Sequence, residues 1–356
     1  MGGWDGGMVG MVGGRWRRTH KIWSSAICDR RKIWSIVGSV CCLHTFNTSP
    51  PSLQALHLFR VRWLMDGRWG WIVLSVIPIM ILMTPPEGWG LIEEAQRNRA
   101  WVPPTRSMTL GATGDIMTKY AQPDYEVPTR DVSLPGFWMD VTEVSNARFA
   151  AWAWLSGHKT EAETSGGSIV FSPSSPSFSA RRDGSWGYVP SAWWRHPEGP
   201  GSDLGGRWGH PVVHVSAFDA AAFCSYWGGR LPSEAEIERV LKADPNHGLF
   251  PWGDDEVDGN GRYRVNAGEG GEMRTTKGCA YGPVNDLGVC DLVGNVWEWT
   301  SDDDHRFPYP DVRVLKGGSF LCSRASCFRY RVSSRTGHDP GEGASNIGFR
   351  CVYDPM

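Results

Sequence analysis

The 356-residue chain is expected to fold as an α+β domain poor in regular secondary structure, and three observations carry that reading. Twenty tryptophans stand among 44 glycines and 24 prolines, a composition in which large rings brace loops that make few ladder hydrogen bonds. Two helix starts, at Ser216 and Ser233, carry their own capping residues. The apolar share of 41% is ordinary for a globular chain with a real core, and no internal repeat divides it.

In chain order, residues 69–83, WGWIVLSVIPIMILM, form an apolar run preceded by Arg60, Arg62 and Arg68. A membrane-spanning helix needs about 20 apolar residues, so this shorter run suits a signal-peptide core. The alternatives are an uncleaved anchor, which is this chain's one expected route to a membrane, and a buried helix interrupted at Pro78. Residues 1–64 then read as a leader or gene-model extension ahead of a natural start at Met65, with the signal or anchor over 65–90. Asn146 to Leu155 has helical spacing and stops at Gly157, whereas the serine-rich stretch 172–187 reads as a surface loop. Ser216 with Asp219, and Ser233 with Glu236, are capping boxes. Phe218, Ala221, Ala222 and Trp227 continue the first helix until Gly228-Gly229, and Ile237, Val240 and Leu241 give the second its buried stripe.

Thirty-six basic and 38 acidic residues nearly cancel and the pI is near 6.6, which disfavours nucleic acid and anionic surfaces as partners. Cys28, Cys41 and Cys42 precede the apolar run, leaving an even six: Cys224, Cys279, Cys290, Cys322, Cys327 and Cys351. With the apolar run, that points to an oxidising compartment of the secretory pathway, either the endoplasmic reticulum lumen or the exterior. Cys279 and Cys290 could bridge locally or stay free.

The chemistry concentrates in GGSFLCSRASCFRYR, residues 317–331. Cys322 and Cys327 are five positions apart, which puts them on opposite faces of a strand or roughly 140° apart around a helix. Their sulfurs meet only where the chain bends back. Such a bend permits a structural disulfide, two buried thiols, or a soft-metal site with the thiolates favoured by Arg324, Arg329, Arg331 and Arg335. His196 and His214 have no second histidine at metal spacing and read as structural.

This segment, together with RVSSRTGHDPGEGASNIGFRC (331–351), resembles the formylglycine-generating enzymes, also called sulfatase-modifying factors. MDVTEVSNARF (139–149), WWRHPEGP (193–200), the run 210–238, FPWGD (250–254) and DLVGNVWEWTSD (291–302) agree with it in order, so the resemblance spans 105–354. It implies a domain related in architecture to C-type lectins and a copper-dependent oxidase. That oxidase uses dioxygen to convert the cysteine of an unfolded sulfatase segment, Cys-x-Pro-x-Arg, to Cα-formylglycine, thereby activating sulfatases. It further implies copper(I) between Cys322 and Cys327, with Ser319, Trp297 and Asn346 beside them. Structural calcium is implied at Asp291 and the carbonyls of Leu292, Gly294 and Val296, and a second calcium at Asn266 and Ala267, whose aspartate is missing here. A disulfide from Cys224 to Cys351 is implied in the same way. The family often has histidine or asparagine after the first cysteine and tyrosine before the second, where this chain has Ser323 and Ser326. The alternative readings are a non-catalytic paralogue that binds sulfatases and a lectin-like extracellular module.

Overall fold

The computed structural model describes residues 58–65, 68–75, 98–114, 119–172, 185–305, 312–325 and 327–355. Strands β1 (Leu58–Met65) and β2 (Arg68–Ser75) form an antiparallel hairpin, so the first part of the apolar run is extended backbone. Residues 76–90, which hold the rest of that run, and the leader residues 1–57 lie outside the described residues. Among the described residues, no helix is long and apolar enough to cross a membrane.

The domain proper starts upstream of residue 105. Strand β3 (Arg99–Val102) joins a three-stranded sheet with β6 (Phe137–Asp140) and β13 (Val352–Tyr353), ordered β13-β6-β3, after β4 (Thr105–Leu110) and β5 (Arg130–Leu134) pair separately. A short helix, α1 (Pro123–Glu126), lies between β4 and β5. A four-stranded sheet, ordered β11-β10-β9-β12, is built from β9 (Trp297–Asp303), β10 (Arg313–Lys316), β11 (Arg335–His338) and β12 (Ile347–Gly348). Strands of two to seven residues separated by long loops give the low regularity that the composition predicts.

The helices follow their caps. Helix α2 (Asn146–Ser156) starts at Ser145, whose hydroxyl accepts from the Arg148 N–H, and ends at Gly157 with φ 69°, a left-handed turn that glycine enters without a Cβ penalty. Helix α4 (Ala217–Tyr226) and α5 (Glu234–Leu241) carry the two expected capping boxes. Between α2 and α4 comes a helix that the sequence reading missed, α3 (Glu161–Ser165), although Thr160 and Glu163 form the same device.

The expected loop over 172–187 needs correction at both ends. Ser172 closes β7 (Gly167–Ser172) and Ser185–Gly187 opens β8 (Ser185–Pro190), with residues 173–184 outside the described residues. Phe171 meets Trp186 across this hairpin at 5.3 Å between ring centroids, a cross-strand aromatic pair that outweighs the serine-rich composition.

The core gathers on Phe149 of α2, whose ring lies within 6.3 Å of Trp152, Trp194, Phe223 and Phe349. Each fully buried ring of this kind contributes about 1.5–3 kcal/mol. Cys224 of α4 is bonded to Cys351, tying a helix to the C-terminal strand across 127 residues. His214 is fully buried with φ 60°, and its two ring nitrogens face the Ser168 hydroxyl and the Pro197 carbonyl. Burial lowers its pKa to about 4, so it stays neutral and structural.

Next to Cys351, Arg350 is fully buried and uses its whole guanidinium. It donates to both Glu298 carboxylate oxygens at 2.6 Å, to the carbonyls of Asp140 and Val141, and to the Cys290 carbonyl. One side chain thereby joins β6, β9, the Cys290 loop and the C-terminal strand. Arg350→Met is expected to cost about 3–5 kcal/mol in denaturant unfolding, because Glu298 and three carbonyls lose their partner in the interior. Adding Glu298→Leu should recover part of that loss. A single-variant cost below about 1 kcal/mol would contradict the assignment.

Candidate functional site: an unbridged cysteine pair beside an acidic loop

After β10, Gly317 and Gly318 take φ of 93° and 78° and reverse the chain. A Cβ at Gly318 would lie 2.7 Å from Tyr330, so the tight packing of this turn requires glycine. The turn delivers Ser319, and the Cys322 N–H donates to the Ser319 carbonyl at 2.9 Å. The Cys327 N–H donates to the Ser323 carbonyl at 2.9 Å, closing the bend that the spacing demanded. The two sulfurs are 2.9 Å apart and unbonded, with Cys322 buried and Cys327 half-buried. Ser326 lies outside the described residues.

The pair is electrostatically graded. Burial pushes the Cys322 thiol well up. The hydrogen bond with Cys322 and the nearby Arg329 and Arg331 lower Cys327 to about 7. Arg331 is itself held by both Glu126 oxygens, at 2.9 and 2.6 Å.

Ser319, Asn346 and Trp297 come together at the inner end. The Asn346 amide donates to the Ser319 hydroxyl at 2.9 Å, and the Ser319 backbone and hydroxyl both reach the Cys322 thiol. The Trp297 N–H donates to the Asn346 carbonyl at 2.9 Å, with the ring nearly buried. The outer end is aromatic: Phe328 packs edge-on to Tyr120 and Tyr330, and Phe250 stacks on Tyr330 and Trp252. Two unbridged thiols meeting in a bend fit a soft monovalent cation such as copper(I).

The loop before β9 carries the acidic half. Asp291 and Asn295 adopt φ of 57° and 55°, and Asp291 accepts from the Cys279 N–H at 2.5 Å. Cys279 and Cys290 are bonded to each other, which decides the local pairing that the sequence left open. Glu143 is buried near Asp291, with one oxygen accepting from the Asn295 amide at 3.0 Å and the other left without a partner. Arg350 therefore faces three buried carboxylates, Glu298, Glu143 and Asp291. Burial lifts Asp291 to about 6 and, together with the Asp291 charge, lifts Glu143 well above its usual range. A Cβ at Gly317 would sit 2.9 Å from the Leu292 carbonyl oxygen and 3.9 Å from that of Val296, so both oxygens turn to the same place. Buried carboxylates in excess of buried cations, beside carbonyls of an irregular turn, fit a hard divalent ion.

Asn266 behaves differently. Its amide donates to the Arg274 carbonyl and to Asn295, and its side-chain oxygen accepts from the Glu272 N–H. Glu272 is exposed and paired with Arg274. The Asn266 and Ala267 set thus offers a cation no buried carboxylate, and it braces the loop. Sequence reasoning missed Glu143, Glu126, Glu256 and Tyr330 as neighbours of these sites. Glu143 and Tyr330 lie inside the quoted motif blocks, whereas Glu126 and Glu256 carry no local signal.

Residues 94–355 match the family described as "Sulfatase-modifying factor enzyme 1-like domain". A formylglycine-generating enzyme of Thermomonospora curvata is 40% identical over 265 residues, covering 65% of this chain and 87% of that protein. The formylglycine-generating enzyme of Bos taurus is 37% identical, covering 71% of this chain and 76% of its own length. The protein named inactive C-alpha-formylglycine-generating enzyme 2, also of Bos taurus, is 35% identical, covering 64% and 81%. Among solved structures, PvdO from Pseudomonas aeruginosa aligns with a TM-score of 0.52 at 21% identity, covering 72% of this chain and 94% of PvdO, a likeness of fold. With its family domain matched over 94–355 and its cysteine pair in place, this chain belongs to the formylglycine-generating enzyme, or sulfatase-modifying factor, family.

Proposed function

We propose that the protein oxidises the cysteine of an unfolded sulfatase segment, Cys-x-Pro-x-Arg, to Cα-formylglycine with dioxygen, and so activates sulfatases. The observation that supports this best is the sorting of the cysteines. Cys224, Cys351, Cys279 and Cys290 are bridged, while Cys322 and Cys327 stand 2.9 Å apart without a disulfide between them. A lectin-like module with structural disulfides would have that third pair bonded.

Cys322 and Cys327 would hold copper(I), which when bound supplies one-electron chemistry with dioxygen. Cys327, half-buried and thiolate-prone, is the sulfur that an arriving substrate meets first. Ser319, fixed by Asn346, orients the inner thiol, and the Trp297 backbone N–H holds the Asn346 carbonyl. The rings of Phe328 and Tyr120 give the substrate proline an apolar surface beside Cys327. The overall change, in which CH₂SH becomes CHO with sulfide and water released, consumes dioxygen and two electrons that a thiol reductant supplies. Calcium at Asp291, Leu292, Gly294 and Val296 would balance the carboxylates around Arg350, and the bridged cysteines suit an oxidising secretory compartment.

The test is mass spectrometry of a Cys-x-Pro-x-Arg peptide incubated in air with the full chain, copper(I) and a thiol reductant. Conversion to the aldehyde is expected, falling to background in Cys322→Ala and Cys327→Ala and by about 10- to 100-fold in Asn346→Ala. An unchanged peptide from folded, copper-binding protein would favour the other reading, a non-catalytic sulfatase partner, which the likeness to the inactive relatives and Ser323 keeps in view.

Calcium is tested separately by thermal unfolding. Adding calcium to chelator-treated protein is expected to raise the Tm in proportion to binding, and Asp291→Ala should abolish the rise. A wild-type Tm indifferent to calcium would remove the ion from this account.

A further inference from the structure

The bend that brings Cys322 to Cys327 carries Arg324 between the two cysteines, and that side chain has an anchor remote in sequence. Its Nε donates to Glu256 Oε1 at 2.7 Å, and one terminal nitrogen donates to the Asp254 carbonyl at 3.4 Å. The same Glu256 oxygen accepts from the Tyr330 hydroxyl at 2.6 Å. Tyr330 lies just beyond the bend, and burial together with Glu256 pushes its phenol far up, so it remains the donor. The other Glu256 oxygen lies 2.9 Å from where a Cβ on Gly268 would be, and the Gly268 N–H donates to the Cys322 carbonyl at 2.7 Å. Glu256 therefore holds the cysteine segment within the bend, at Arg324, and just beyond it, at Tyr330.

We propose that Glu256 is a positioning residue that latches the cysteine bend, holding Cys322 and Cys327 at the separation their joint chemistry needs. The inference rests on reading the pair as the working centre, and it goes beyond that reading by naming what sets the distance. A carboxylate holding one partner inside the loop and one outside it restricts the backbone between the sulfurs. Arg324 is half-exposed and also stacks over Phe328 at 4.9 Å, so the charge pair itself adds little to global stability. Its consequence is local geometry. Without the latch the bend samples wider conformations and the two thiols meet less often, as for any loop whose ends are released.

The test reads that encounter directly in the metal-free full chain. In glutathione buffers, the Cys322 and Cys327 thiols plus one oxidised glutathione give the intramolecular disulfide plus two reduced glutathiones, and differential alkylation with mass spectrometry measures the equilibrium. Glu256→Ala and Arg324→Ala are each expected to lower the closure constant by about tenfold or more. Glu256→Gln, which keeps an acceptor for both partners, should stay within about threefold of wild type. Arg324→Ala removes a half-exposed side chain and leaves the core intact, so it decides the matter if Glu256→Ala fails to fold. A folded Arg324→Ala protein whose closure constant lies within about twofold of wild type overturns the latch. A shifted constant in a protein that never oxidises the peptide would leave the latch standing and reject the proposed activity.

Discussion

The buried pairing of Arg350 with Glu298 is the constraint on which the rest of the arrangement depends. Glu298 belongs to β9, the strand flanked by β10 and β12, and Arg350 sits between β12 and β13 beside the Cys351 bridge. Fixing these two residues fixes where β9 begins, and the acidic loop lies immediately before it. Its neighbour β10 ends at Lys316, which pairs with Glu298 in register and donates to Glu238 of α5. The Gly317-Gly318 turn and the cysteine bend follow from that point. Both candidate sites thus hang from the same two strands, one entering β9 and the other leaving β10.

That arrangement has an electrostatic cost, which also gives it a use. One guanidinium faces three carboxylates in an interior where uncompensated charge is expensive. Protonation of Asp291 and Glu143 relieves part of the imbalance, and a divalent cation would relieve it more fully while stiffening the loop. The cysteine pair is built on the opposite logic. Its inner sulfur is kept neutral by burial and its outer sulfur is drawn toward the thiolate by the hydrogen bond with the inner one and by arginines, while the hard oxygen ligands sit in the separate loop before β9.

Much of this was legible in the sequence where the signal is local. The capping boxes at Ser216 and Ser233 placed two helices, Gly157 stopped a third, and the five-position cysteine spacing lets the sulfurs meet only in a bend, which the structure contains. Thr160 with Glu163 carried the same signal and was overlooked. What stayed hidden depends on distant parts of the chain meeting. Glu126 reaches Arg331 across 205 positions and Glu256 reaches Tyr330 across 74, and neither glutamate stands in a pattern that marks it. The β7–β8 hairpin was masked by serine-rich composition because its pairing rests on aromatic residues facing each other across strands. The partnership of Cys279 with Cys290 had no motif, and only the fold of the intervening loop decides it.

The proposed role of Cys322 and Cys327 is a single soft-metal site. X-ray absorption at the copper edge, on the full chain loaded with one equivalent of copper(I), reads the ligands of that site. Sulfur alone is expected in direct coordination, and it is expected to be lost in both Cys322→Ser and Cys327→Ser. Nitrogen or oxygen ligands, or a spectrum unchanged by either substitution, would contradict it.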